Sequence, residues 1–364
     1  MIQNVEKGTV PFSTFLYFCG MMWTLLLASS IVFQPGDDGA ELKERDYGFR
    51  TVIEADVKKV TAQLGSGDYS GITYLGGSRY AVVDDKRSGG GILLVDMDVS
   101  FKGKVGGVSV AIPEGTASSD IKKRDNEVVA YVAGGIGPGT LFVSAEADQS
   151  IREYGLDGVP TGRVMAVPDD MARSKIKSNR GFEALTYNEF TGLFWTTTED
   201  ALLEDASLDA GLLRLQSFGT DLKPAGRFLY QMDEPVKSEA EAAGAESYVF
   251  GVPAMTALDD GRLIVLEREV YVPKGGNISK LRKSFTRMNL YVVNPASDGE
   301  SEVLRKTLMC SFTTKPTSGR FADYEGMCLG PLVPDGGRTL ILISDSQHGA
   351  GGVARDFVKV IVFR

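Results

Sequence analysis

A short β unit recurs along this chain, and the recurrence constrains the fold more than any other feature. Its clearest copy is Asn179–Asp200, NRGFEALTYNEFTGLFWTTTED. Glu183 enters a strand-like run holding Phe182, Leu185 and Tyr187, and a turn follows at Asn188–Gly192. A second strand, Leu193–Thr198, ends on the acid pair Glu199–Asp200. Two alternating runs around a glycine-containing turn read as a hairpin. The stretches Ser70–Asp85, Glu127–Glu146, Gly251–Glu267 and Tyr324–Asp345 fit the same template. The five copies stand roughly 50–75 residues apart, somewhat longer than common propeller repeats.

A β unit cannot bury its apolar faces alone, so repeated units pack against one another. Radial packing of short antiparallel sheets gives a propeller. The expected fold class is therefore all-β: a β-propeller of six blades, with seven as the alternative, after an N-terminal signal or anchor segment. Acids at recurrent positions on the innermost strands would converge near the axis. The plainer reading is that Asp and Glu at strand ends are turn residues.

The boundaries follow from composition. Residues 8–36 carry no charge, and Phe15–Phe33 is an apolar run with Ala28 and Ser30 placed for cleavage. It reads as a secretory signal or, uncleaved, as a membrane anchor, about 19 residues being just enough to span a bilayer. Residues 37–46 read as a charged linker and 47–364 as the propeller. The chain is thus expected to be exported: periplasmic, secreted or anchored at the cell envelope, touching membrane only through an uncleaved N-terminal segment. A monomer is expected. Glycine, at 43 residues, suits many turns. A net charge of −9 argues against a nucleic-acid surface. Cys310 and Cys328 are either a disulfide pair or two buried thiols, and their spacing does not decide between these.

Several segments carry the outer strands. Leu93, Val95, Met97 and Val99 alternate with polar residues, and Ser150–Arg163, Leu213–Arg227 and Met288–Val303 repeat that outer pattern. Tyr47–Leu64 is expected to close the ring against Val358–Phe363. Asp169–Lys177 and Glu234–Glu246 break the rhythm, the latter as a helical insert that could cover one face of the propeller or be a solvated loop.

The chemical inventory is narrow. His348 is the one histidine, so neither a His-rich metal site nor a two-His mechanism is available. It could be a general acid–base, although a lone loop histidine is more often solvated. There is no G-x-S-x-G elbow and no phosphate-binding G-x-x-x-x-G-K loop. What remains is a carboxylate set: Asp84, Asp85, Glu146, Glu183, Glu199, Glu267, Glu325 and Asp345. Converging oxygens suit a hard cation, calcium before magnesium, and like charges held together need a cation or a basic partner. Candidate partners are Lys86, Arg87, Arg180, Arg268 and Arg338. Glu183 and Glu325 are the candidate catalytic carboxylates. Arg180 and Arg268 are the candidate substrate-binding groups, able to grip an anion in bidentate fashion. Asp85, Glu146, Glu199, Glu267 and Asp345 are the candidate metal ligands.

The same segments carry a resemblance. SGITYLGGSRYAVVDD, SAEADQSIREYGLDGVPTGR, NRGFEALTYNEFTGLFWTTTED, ALDDGRLIVLERE and YEGMCLGPLVPDGGRTLILISDSQ resemble the phytase-like family, described as the esterase-like activity of phytase. The N-R-G-F-E-A-L and R-L-I-V-L-E-R blocks are the most specific. The resemblance implies an exported bacterial β-propeller that hydrolyses phosphoesters or carboxylic esters, with Glu183, Glu267 and Glu325 at its site. Ala184 stands where glycine is expected. The expected ligand is a small anionic or ester substrate. The alternatives are a non-catalytic propeller binding a ligand or partner at the cell envelope, and a structural envelope protein whose acids are turn chemistry.

Overall fold

A computed structural model describes residues 48–57, 67–84, 91–99, 105–111, 113–117, 119–135, 137–275, 278–298, 303–334, 336–349 and 352–364. Asp85, Lys86 and Arg87, the uncharged stretch 8–36 and the linker 37–46 lie outside them. Among the described residues no helix is long and apolar enough to cross a membrane.

The described residues form five four-stranded antiparallel sheets. Blade 1 holds β2 (Tyr69–Gly76), β3 (Arg79–Asp84), β4 (Ile92–Val99) and β5 (Val105–Ala111). Blade 2 holds β6 (Asn126–Val132), β7 (Thr140–Ala145), β8 (Ser150–Gly155) and β9 (Pro160–Val164). Blade 3 runs from β10 (Phe182–Asn188) and β11 (Leu193–Thr198) to β12 (Leu212–Phe218) and β13 (Pro224–Gln231). Blade 4 runs from β14 (Ala245–Ala257) and β15 (Leu263–Pro273) to β16 (Phe285–Val293) and β17 (Lys306–Thr314). Blade 5 takes β18 (Asp323–Leu332), β19 (Arg338–Asp345) and β20 (Phe357–Phe363) from the end of the chain, and β1 (Phe49–Asp56) from its beginning.

The first strands of neighbouring blades touch all the way round, β2 to β6 to β10 to β14 to β18 and back to β2. The β-propeller is thus as expected, but five blades are present rather than six. The physical reason is that each copy of the repeat supplies the two inner strands of one blade. The remaining strand segments are outer strands of those blades, and the earliest one completes the last blade.

Burial follows this plan. β20, FVKVIVF, is buried at every position, because it is an inner-sheet strand covered by neighbours on both faces. β9 lies at a blade's outer edge and is exposed throughout, and it begins on Pro160, where a missing N–H costs no ladder bond. Five apolar clusters fill the five gaps between blades. Phe142 packs on Phe194 between blades 2 and 3, for example, and Trp195 packs beside Phe228 and Val265 between blades 3 and 4. Cys310 and Cys328 are both buried free thiols in different clusters, which settles the open pairing against a disulfide. Glycine is demanded where inner strands approach closely. A Cβ on Gly71 would lie 2.7 Å from the Val128 backbone, and one on Gly326 3.0 Å from the Ile72 nitrogen.

Ring closure occurs as expected, with β1 antiparallel to β20 from Phe49↔Phe363 to Asp56↔Phe357. Charge locks the seam. Glu54 accepts from the Tyr324 hydroxyl at 2.9 Å, from Lys359 Nζ at 3.3 Å and from Arg320 at 2.8 Å. Lys359 is buried, its Nζ lying 4.6 Å from the Phe312 ring centroid, and burial holds its pKa below the usual lysine range. Removing Glu54 would leave that ammonium without its carboxylate. Glu54→Ala should therefore cost about 3 kcal/mol in denaturant unfolding. Adding Lys359→Met should recover most of the loss, and a double variant as unstable as the single one would contradict this account of the seam.

Candidate active site at the axis

The five inner strands share a defect that creates the site. Each pairs with its neighbour through a register shift, near its start in four of them and past the middle of the longer β14. The shifts fall at Ser70, Glu127–Val128, Glu183, Val252–Pro253 and Glu325. A bulge adds one residue to a strand and re-aims a side chain. Three of the five therefore present a glutamate, Glu127, Glu183 and Glu325, at corresponding positions of β6, β10 and β18. The ends of the second strands bring in Glu146, Glu199 and Asp345, and Arg268 comes from the middle of the longer β15.

Arg268 of β15 is the hub. It is 4% exposed and engages Glu199 of blade 3 through Nη2. Through Nη1 it engages Glu325 and, at 3.2 Å, Asp323 of blade 5. Glu199, 1% exposed, is held on its other oxygen by Arg180 Nη1. Glu183 makes no hydrogen bond or salt bridge with any described residue. Four carboxylates thus face two guanidiniums, and like charges that close do not all ionise. Burial first, then Glu199 and Glu127, drives the Glu183 carboxyl well above the usual range. Burial likewise pushes Glu325 up to about 7, against the pull of Arg268. Asp345 is pushed up to about 9 by burial and then by Glu325.

A second acidic group adjoins the first. Asp125, Glu127 and Glu146 each offer an oxygen within 4.8 Å of the others. Glu146 Oε1 is buried and has no hydrogen-bond partner among the described residues. Carboxylates alone make a donor set for a hard cation, and this triad could hold one. A cavity of about 350 Å³ opens beside it, lined by Asp125 and Glu146 together with Arg173 and Lys177.

The arrangement brings together Arg180, Glu183, Glu199, Arg268, Glu325 and Asp345, with Glu146 alongside. It does not bring in Glu267. Successive strand residues point to opposite faces, so with Arg268 turned to the axis, Glu267 is turned away. It accepts instead from the Tyr230 hydroxyl at 2.7 Å and Lys306 Nζ at 2.7 Å. Arg338 lies at the opposite mouth of the channel, 3.0 Å from Asp259. His348 is exposed, its Nε2 standing 3.3 Å from Asp68. Asp323, Asp125 and Glu127 are the site residues that sequence reasoning passed over. Glu127 had a signal, for it opens its copy of the repeat as Glu183 and Glu325 open theirs.

With this geometry in view, comparison with known proteins is decisive for the family. The family model described as esterase-like activity of phytase matches residues 65–348. The chain belongs to the Phytase-like family. Membership places it among propellers of hydrolase type, and the matched span takes in every acid of the axial site. No curated protein matches the chain. Several solved structures resemble it distantly. An α-L-arabinofuranosidase catalytic domain from Coprinopsis cinerea is 11% identical, with 87% of this chain and 96% of that one covered and a TM-score of 0.44. A streptogramin B lyase is 9% identical, with coverages of 87% and 98% and a TM-score of 0.35. The Malassezia sympodialis allergen Mala s 1 is 12% identical, with coverages of 81% and 78% and a TM-score of 0.36. Nothing about substrate or mechanism follows from likenesses this distant.

The raised Asp345 pKa sets a sign. The folded chain holds this proton up to about pH 9, whereas an ordinary aspartate releases it near 3.8. Folding therefore takes up a proton between those values, and stability falls as pH rises through the window. Asp345→Asn has no such proton to lose. Its melting temperature should exceed that of the parent by at least about 3 °C at pH 9.5, with a much smaller gap at pH 5. Equal gaps at both pH values would mean that Asp345 is not held protonated.

Proposed function

We propose that the chain is a hydrolase of phosphoesters or carboxylic esters acting at the axial carboxylates. The observation that carries the reading is Glu183. It is a carboxyl at the channel axis with no bonding partner among the described residues, set between the Arg268 and Arg180 ion pairs. Such a group is free to meet a substrate. Burial and the neighbouring acids favour its protonated form, so it can donate to the departing oxygen. Glu325, near its midpoint at neutral pH, can take the proton of the attacking water as the new bond to phosphorus or carbon forms. Water thus gives one proton to Glu325 while Glu183 gives one to the leaving alcohol, and Glu325 must lose its proton and Glu183 regain one, directly or through solvent, before the next turnover. Arg268 fixes Glu325 and Glu199, and Arg180 is placed to orient an anionic substrate.

Asp125, Glu127 and Glu146 would hold the cation, calcium first, which when bound polarises a substrate oxygen. Arg173, beside that triad, adds positive charge that suits a phosphoryl group. Export through residues 1–36 and a monomeric state belong to the same proposal.

The test is p-nitrophenol release from phosphate and acetate esters, in calcium and in EDTA. Glu183→Gln and Glu325→Gln should each lower kcat at least about 100-fold while leaving the melting temperature near that of the parent. No release above the Glu183→Gln background on either ester would favour the non-catalytic binding propeller. The parent's kcat/KM should also rise as pH increases through about 7, where Glu325 loses its proton. A profile flat from pH 5 to 8 would remove Glu325 from the role of base.

A further inference from the structure

A second cavity, of about 590 Å³, opens beside Arg180 between blades 3 and 4. One wall is the inserted segment that interrupts the β rhythm. It carries a short helix, α1 (Glu239–Ala243), whose start is fixed by a capping box between Ser238 and Glu241. The segment is pinned from below by the two glutamates that face away from the axis. The Asp233 N–H donates to Glu267 at 3.1 Å, and the Val236 and Lys237 N–H groups both donate to Glu269 at 2.9 Å. Buried carboxylates holding backbone N–H groups fix a wall in place. Glu267 therefore acts at a distance from the axis, by positioning this segment.

The lining has a definite chemistry. Met232, Pro235, Tyr248 and Phe250 give it an apolar side, and Ala242 of α1 faces it. Five carboxylates line it; Asp200 is paired with Lys177 and Asp233 with Lys306, each at 2.8 Å, which leaves Asp209, Glu234 and Glu239 to give the lining its negative charge. Of the cations in the lining, Lys177 is thus already engaged, and Lys237 lies 2.7 Å from Glu241. Arg180 commits only Nη1, to Glu199. The cavity thus offers one guanidinium at its inner end and an apolar, net-negative body.

We propose that this cavity binds the organic body of the substrate, and that the substrate is an ester with a single anionic or reacting centre at Arg180 and an aromatic or otherwise apolar group. A polyphosphorylated substrate is rejected, because its outlying phosphates would meet carboxylates in a pocket whose other cations are spent. The size falls in the range of small-ligand pockets, about 300–1,000 Å³. This inference rests on the hydrolase reading for its reaction but not for its ligand.

Two measurements keep the two apart. Calorimetry with 1-naphthylmethylphosphonate, which cannot be hydrolysed, reads the pocket alone. The parent should bind it, Ala242→Trp should weaken binding at least tenfold by filling the cavity, and an inositol hexakisphosphate should bind more weakly than the naphthyl probe. Equal affinity in parent and variant, or tighter binding of the hexakisphosphate, would overturn the proposal. Kinetics then compares 1-naphthyl with methyl esters of phosphate and acetate. Ala242→Trp should cut the naphthyl-to-methyl ratio of kcat/KM at least tenfold, and an unchanged ratio would overturn it. Phe250→Ala, which opens rather than fills the cavity, gives the same reading of the ratio should the tryptophan variant fail to fold. Naphthyl binding lost in Ala242→Trp, with no turnover of any ester by the parent, would sink the hydrolase reading and leave the pocket standing.

Discussion

One buried guanidinium ties three blades together. Arg268 comes from blade 4, and its partners Glu199, Asp323 and Glu325 come from blades 3 and 5. A charge so deeply buried persists only if it is paired from several sides, and here each side belongs to a different sheet. The angular placement of those blades and the protonation of the carboxylates are therefore one problem. A shift of a blade would unpair a charge, and a change in the number of protons would loosen a blade. Apolar packing in the gaps supplies most of the cohesion, but it is non-directional and tolerates sliding. The ionic lattice is what fixes the register of the inner strands at the axis.

The bulges give the lattice its occupants. In a regular ladder the first residues of an inner strand would alternate between the two gaps on either side of their blade. The extra residue in each inner strand breaks that alternation where the strand enters the channel, and in three blades the residue concerned is a glutamate. A local departure from the ladder, repeated by symmetry, becomes a shared site.

Much of this was legible in the sequence, and what was missed has physical causes. The five copies of the repeat, from Ser70 to Asp345, correspond to the five blades. No sixth copy of the repeat stood behind the expectation of six blades. The closing partnership of the first and last strands was legible from VKVIVF, a run too apolar for any exposed edge. Glu183, Glu199, Arg268 and Glu325 were legible as acids and bases at recurrent strand ends. Glu267 was misplaced because charge type was read without strand parity, since adjacent residues of one strand cannot share a face. Asp323 was missed because it precedes its copy of the repeat by one position, where only a register could show that it reaches Arg268.

The closure of the ring has a consequence for how the molecule comes into being. β1 finds its partner only when β20 exists, and the pair Phe49↔Phe363 spans nearly the whole propeller. A chain made from its N-terminus carries β1 with nothing to pair it until β20 has been made. Contacts of such sequence separation form late and slowly, because a long loop must be closed before any bond rewards it. Until then blade 5 lacks its outer strand, and the apolar row of β20 has an open edge. The finished seam with Glu54 and Lys359 is thus also a timing device: the same strand that makes the ring durable leaves the growing chain exposed to mispairing for as long as it is incomplete.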